Sequence, residues 1–167
     1  MAVAGKALAG MDDQLAALMT GFPLLQGFTA QGTQRLLERG EVRACSPGEI
    51  LFKEGDPPAF VVLVLDGKIQ VFVERDGDDM VLTDAGPGTI LGELAVLCGA
   101  ARAASVRASE AATVLQWNAP TFRNLLLRHP LLSDRIFKES LRTLVEKERL
   151  LIDSVARLSR SIDKPSE

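Results

Sequence analysis

The stretch "FVVLVLDGKIQVFV", Phe60 to Val73, consists of two β-rich runs joined at Asp66-Gly67. In the second run Ile69, Val71 and Val73 fall on every other position, the period of a strand with one buried face. Runs of similar texture lie on either side: "EILF" at 49–52, "MVLT" at 80–83 and "ATVLQW" at 112–117. Between them stand "SPGE" (46–49), "EGDPP" (54–58), "RDGDD" (75–79) and "AGPGT" (85–89), made of the residues that reverse a chain. This regular punctuation predicts antiparallel strands folded as a β-roll of the jelly-roll type over residues 42–119.

Helical patterns flank the strands, so the fold class expected is α+β. Leu15, Leu18 and Met19, then Leu36 and Leu37, sit at helical spacing and are separated by "GFPLL" at 21–25, which predicts two short helices within residues 1–41. After Pro120 the β texture stops. Residues 130–162 hold no internal glycine or proline, so 120–162 is expected to be helical, and 163–167, "DKPSE", is a polar tail.

The chain has 167 residues, 47% of them hydrophobic and 25% charged, enough for one core and a helical extension. A formal charge of −3 gives no global reason to bind nucleic acid or an anionic membrane, so any anion must be held locally. His129 is the only histidine, and Cys45 and Cys98 lack metal-ligand spacing, so neither a metal nor a metal-dependent enzyme is expected. Both cysteines read as reduced thiols, with Cys98 a small apolar core residue. His129 reads as a solvated cap, and Trp117 as a strand residue packed on the helices. No run is long and apolar enough to span a membrane, and "MAVAGKALAG" at 1–10 lacks the core of a signal peptide; a cytoplasmic protein is expected.

One segment carries chemistry. "GELAVLCGAARAAS", Gly92 to Ser105, sets Glu93 and Arg102 among small residues. A short helix from Glu93 to Leu97, entered through Gly92 and ended by Gly99, leaves unpaired N–H groups that suit an anion. Arg102 can bring a planar fork of donors to the same place, and the alanines around it let a ligand approach the backbone. Glu93 would repel a phosphate, so a neighbouring hydroxyl is its natural partner. A phosphate beside a sugar hydroxyl is a nucleotide. The competing reading is a structural Glu93–Arg102 ion pair in a roll that binds nothing.

This run resembles the phosphate-binding cassette of the cyclic nucleotide-binding domains found in kinase regulatory subunits, gated channels and bacterial catabolite activators. Gly92-Glu93-Leu94-Ala95 and Arg102-Ala103-Ala104 match its two elements. The resemblance implies that Glu93 takes the ribose 2′-hydroxyl, that Arg102 takes the cyclic phosphate, and that the amides of Ala95 and Ala103 complete the phosphate shell. Val71 and Leu82 would then wall the purine. Ala103 stands where a threonine accompanies cGMP preference in the family, which points to cAMP over cGMP as the ligand, with no other cofactor.

Phe137, Leu141, Leu144, Glu148, Leu151, Val155, Leu158 and Ile162 form a heptad seam of about 38 Å. It is similar to the dimer helix of the activators and suggests a homodimer; the alternative is a helix packed on its own roll. Glu148 is expected to reach the purine edge, or else to set helix register within the seam. Only "SRSIDKPSE" follows this seam region, with no DNA-reading module, so the expected output is an unidentified protein partner and not DNA. A cyclic nucleotide receptor acting as a stand-alone sensor is therefore expected. A ligand-free structural dimer and a cyclic di-GMP sensor are the alternatives.

Overall fold

A computed structural model describes residues 14–162; the expected features of residues 1–13 and of the tail 163–167 lie outside the described residues. The chain begins with α1 (helical residues 14–20), a 3-10 turn at Pro23–Leu25 and α2 (Ala30–Leu37). Eight strands follow: β1 (Glu41–Cys45), β2 (Ile50–Phe52), β3 (Phe60–Asp66), β4 (Ile69–Arg75), β5 (Asp78–Ala85), β6 (Ile90–Leu91), β7 (Ser105–Ala108) and β8 (Ala112–Asn118). A short α3 (Glu93–Cys98) is inserted between β6 and β7, and α4 (Ala119–Arg128) and α5 (Pro130–Ile162) close the described chain.

The strands pair antiparallel in two four-stranded sheets, ordered β1-β8-β3-β6 and β2-β7-β4-β5. β3 lies inside the first sheet and is buried on both faces, which is why its sequence is apolar throughout. Val61, Leu63 and Leu65 face the helices beside Leu36, Phe122 and Ile136. Val62 and Val64 face the second sheet, against Ile69, Val71 and Val106. The two-residue reversal into β4 depends on Gly67, with φ +79°, where an added Cβ would land on the Ala111 carbonyl oxygen. β4 keeps the expected alternation, with Ile69, Val71 and Val73 buried; Phe72, on its other face, is buried beneath the Arg107 guanidinium, 4.3 Å from the ring centroid. β5 is an edge strand, and its Met80, Val81 and Leu82 stay exposed.

Side-chain caps fix the helix starts. Thr29 accepts from Gly32 N–H at the start of α2, and Asn118 accepts from Thr121 N–H at the start of α4. Trp117 is buried on the helical side of β8 and donates from Nε1 to the Leu36 carbonyl at 3.0 Å, joining α2 to the first sheet. His129 caps α4 and is half-buried, its ring tilted against Phe28.

α5 runs for 33 residues, about 50 Å. Arg135 ties its start to the carbonyls of Leu24 and Gln26. Leu132, Ile136 and Ser140 are buried, and beyond Ser140 no described side chain of the helix is. Among the apolar residues flanking the expected seam, Ile136 packs on the core, whereas Val145, Leu150 and Ile152 do not.

Trp117→Phe should lower stability by about 1–3 kcal/mol, because it leaves the Leu36 carbonyl without its donor. Urea unfolding is expected to show a lower midpoint at unchanged slope.

Candidate functional site

Gly92 begins the site. It leads β6 into α3 at φ +80°, and an added Cβ there would fall on Arg102 Nη1. That nitrogen donates to the Gly92 carbonyl at 2.8 Å, while Nη2 donates to the carbonyl of Phe60. The guanidinium lies 4.1 Å from the Phe52 ring centroid and 5.3 Å from that of Phe60, with the residue only 3% exposed. Nε is buried without a partner. The fork expected to point at an anion is thus turned onto the roll. A buried guanidinium must meet its donors with acceptors close by, and here they are backbone carbonyls. Burial pushes the Arg102 pKa below the ordinary arginine range, and the nearby carboxylates of Asp56 and Glu93 oppose the shift.

The loop after α3 is held by the turn before β3. Arg102 N–H donates to the Asp56 carbonyl, Gly55 N–H donates to the Arg102 carbonyl, and Glu54 N–H donates to Ser105 Oγ. Ala103 is left exposed at the surface of this loop.

Glu93 opens α3 and faces α5. Its Oε1 accepts from Ser140 Oγ at 2.8 Å. Burial raises its pKa above the usual carboxylate range; the Ser140 hydroxyl, the N–H groups of Glu93 and Leu94, and the charge of Lys147 pull it back. Among the described residues Glu93 and Arg102 form no ion pair, so each charge is accommodated separately. The opposite end of α3 is held by Arg123, whose Nη2 donates to the Val96 carbonyl at 2.8 Å.

These groups surround a cavity of roughly 1030 Å³ between the second sheet, α3, the loop and α5. Val71 and Leu82 form its sheet side. Gly92, Glu93, Leu94 and Ala95 line it at α3, and Arg102, Ala103 and Ala104 at the loop. Glu148 does not line the cavity; Thr143, Glu146 and Lys147 do. The reason is helical phase. Ile136, Ser140, Thr143, Lys147 and Leu150 make a stripe with the spacing of the seam, one residue earlier, which turns it about 100° toward the body. Glu148 lies on the seam. Cys98 is also displaced from expectation: as the last residue of α3 it is exposed at the cavity rim, while Cys45 is the buried thiol. Among the described residues no group of three or more His, Cys, Asp or Glu side chains is placed to hold a metal, and no helix is long and apolar enough to cross a membrane.

Sequence reasoning placed Lys147 beside Glu148 near the purine edge, and of the two only Lys147 lines the cavity; it missed Ser140 and Thr143, because their stripe mixes polar and apolar residues and carries no hydrophobic signal. It also missed Phe52 and Phe60 as the aromatic walls of Arg102; the signal there was two phenylalanines at the borders of the strands flanking "EGDPP".

The roll of eight strands, the short α3 and the arginine loop thus converge on one cavity beside α5. The sequence profile described as "Cyclic nucleotide-binding domain" matches residues 42–129, and the chain belongs to that family. It is 30% identical over 112 residues to the lysophospholipase nte1 of Neurospora crassa, covering 66% of this chain and 7% of the relative. To the cAMP-dependent protein kinase regulatory subunit of Blastocladiella emersonii it is 33% identical over 92 residues, covering 54% and 23% of the two chains. The crystal structure of Thermus thermophilus catabolite activator protein superposes with a TM-score of 0.72 at 27% identity, over 80% of this chain and 63% of that one. The chain therefore corresponds to less than a quarter of each of those two sequence relatives.

Gly92→Ala should cost more than Gly48→Ala. Both have φ near +80°, which alone costs about 1–2 kcal/mol, but only Gly92 meets Arg102, whereas Gly48 has open space. Thermal unfolding is expected to rank them in that order, with the gap closing in an Arg102→Ala background.

Proposed function

We propose that the chain is a receptor for a 3′,5′-cyclic mononucleotide, preferring cAMP to cGMP, that reports binding through α5. The observation that carries this reading is that Glu93 and Arg102 share one cavity without pairing. A structural ion pair would have consumed both charges. Instead the carboxylate keeps an oxygen for a sugar hydroxyl, and the guanidinium has only neutral carbonyls to exchange for charged phosphate oxygens, which make stronger bonds. Val71 and Leu82 supply apolar surface for the base. Ala103 offers guanine no hydroxyl, which supports cAMP, and the kinase regulatory relative, cAMP-dependent by name, supports the same ligand class.

Isothermal titration with cAMP, cGMP and cyclic di-GMP tests the reading. Arg102→Ala removes charge-assisted bonds worth about 1.5–3 kcal/mol, a loss of roughly one to two decades in cAMP affinity. Arg102→Lys, which keeps the buried charge, should also bind more weakly because it loses the fork. Unchanged affinity in both variants would refute the phosphate role. Glu93→Ala should weaken cAMP more than 2′-deoxy-cAMP; equal losses would refute the ribose role.

The reading extends to assembly as a homodimer. Phe137, Leu141, Leu144, Leu151 and Val155 are each 45–67% exposed along one face of α5, a larger apolar surface than a solvated helix ordinarily carries. Their seam geometry fits a second copy of the same helix. Leu151→Asp with Val155→Asp should convert a dimer to a folded monomer in light scattering, because neither side chain contributes to the core. A monomeric wild type at micromolar concentration would refute the dimer.

A further inference from the structure

A serine inside a helix ordinarily bonds back to the carbonyl one turn earlier. Ser154 of α5 does so, donating to the Leu150 carbonyl at 2.8 Å. Ser140 does not. Its hydroxyl crosses to α3 and donates to Glu93 Oε1, also at 2.8 Å, in a position only 3% exposed. Ser140 is also the last buried residue of α5 among the described side chains, so this bond sits where the helix leaves the body. Among the described residues Glu93 Oε2 makes no hydrogen bond to another side chain, and the residue itself lines the cavity.

We infer that Ser140 is a positioning residue: it holds the Glu93 carboxylate with one oxygen open to the cavity and, through the same bond, couples occupancy of that oxygen to α5 beyond Leu141. The coupling to ligand rests on the ribose contact proposed for Glu93. A carboxylate has acceptor capacity for both donors, so a ligand hydroxyl on Oε2 and Ser140 on Oε1 form one chain from ligand to helix. Both bonds restrain the same carboxylate, so whichever forms second pays less to order it. Lys147, two turns further along the same stripe, also bears on Glu93, its charge favouring the carboxylate form. Ligand binding then tightens the final attachment of the helix, and the exposed half beyond it becomes less mobile.

Hydrogen exchange of residues 141–157 in the full chain tests this, using wild type, Ser140→Ala, Ser140→Thr and Glu93→Ala. Ser140→Ala removes only one hydroxyl and introduces a better helix former, so the protein is expected to fold. In wild type, cAMP should slow exchange over 141–157, and 2′-deoxy-cAMP should not. Ser140→Ala should still titrate with cAMP, about threefold to tenfold more weakly, because only part of the worth of the Ser140–Glu93 bond reaches the ligand, but show no slowing. Ser140→Thr, which keeps the hydroxyl, should restore it. Protection in Ser140→Ala equal to that of wild type would overturn the inference. A ligand-free arm separates this outcome from failure of the receptor reading. Ser140→Ala and Glu93→Ala should each speed exchange over 141–157, and the double variant should go no further than either; additive effects would overturn the coupling. A wild type that does not titrate with cAMP would refute the receptor and the ligand chain together, while the ligand-free arm would still decide the Ser140–Glu93 bond.

Discussion

The buried guanidinium of Arg102 sets the terms for the ligand cavity and the elements around it. Taking a charge out of water is costly unless its donors are met. Two of its nitrogens are met by the carbonyls of Phe60 and Gly92, which tie the start of β3 to the end of the β6 turn. Phe52 and Phe60 supply ring faces beside it. The same group demands glycine at position 92, since any Cβ there would occupy the space of Nη1. Its backbone is pinned as well, donating to Asp56 and accepting from Gly55. Nε remains unmatched. A roll built only for stability could carry an apolar side chain there without loss, and the phosphate contact proposed for Arg102 gives the charge a use that packing does not.

Much of the fold was legible because strand and turn signals have short range. The alternation in β4 and the Asp66-Gly67 reversal each act within a few positions. The site was legible as residue types, since glycine, glutamate, small residues and arginine in that order allow few chemistries. Their orientations were not. The direction of the Arg102 fork depends on carbonyls 10 and 42 positions away. The phase of α5 depends on where Leu132 and Ile136 seat in the core, and an error of one residue exchanges Lys147 for Glu148. Cys98 read as core by residue type alone, but a residue at the C-terminus of a six-residue helix is set by the helix's placement, which composition does not encode.

That placement is unusual in its sources. A helix of six residues is too short to persist by itself. α3 is instead held from three directions by side chains distant in sequence: Arg102 on the Gly92 carbonyl, Arg123 of α4 on the Val96 carbonyl, and Ser140 of α5 on Glu93. None of these bonds is internal to α3. On the proposed reading, a change at any one of them would bear on the others through α3, which joins the cavity to α4 and α5.

α5 presents two stripes of the same spacing, one residue apart. Ile136, Ser140, Thr143, Lys147 and Leu150 turn toward the body and cavity, while Phe137, Leu141, Leu144, Glu148 and Leu151 turn outward. Both stripes belong to one helix whose last buried anchor among the described side chains is Ser140, so the inner stripe cannot shift without rotating or translating the outer one. On the proposed reading, ligand acts on the inner stripe and a second copy on the outer. Their affinities must then be linked, and linkage is reciprocal: whatever factor the nucleotide contributes to dimerisation, the dimer contributes to nucleotide binding. The position of Glu148 shapes that linkage. In a parallel seam it would face its own copy among apolar neighbours, a pairing of like charges that weakens the interface and makes it sensitive to small changes in register. An interface held marginally in this way responds to a ligand-driven shift worth only one or two hydrogen bonds, whereas a fully apolar seam would stay closed with or without the nucleotide.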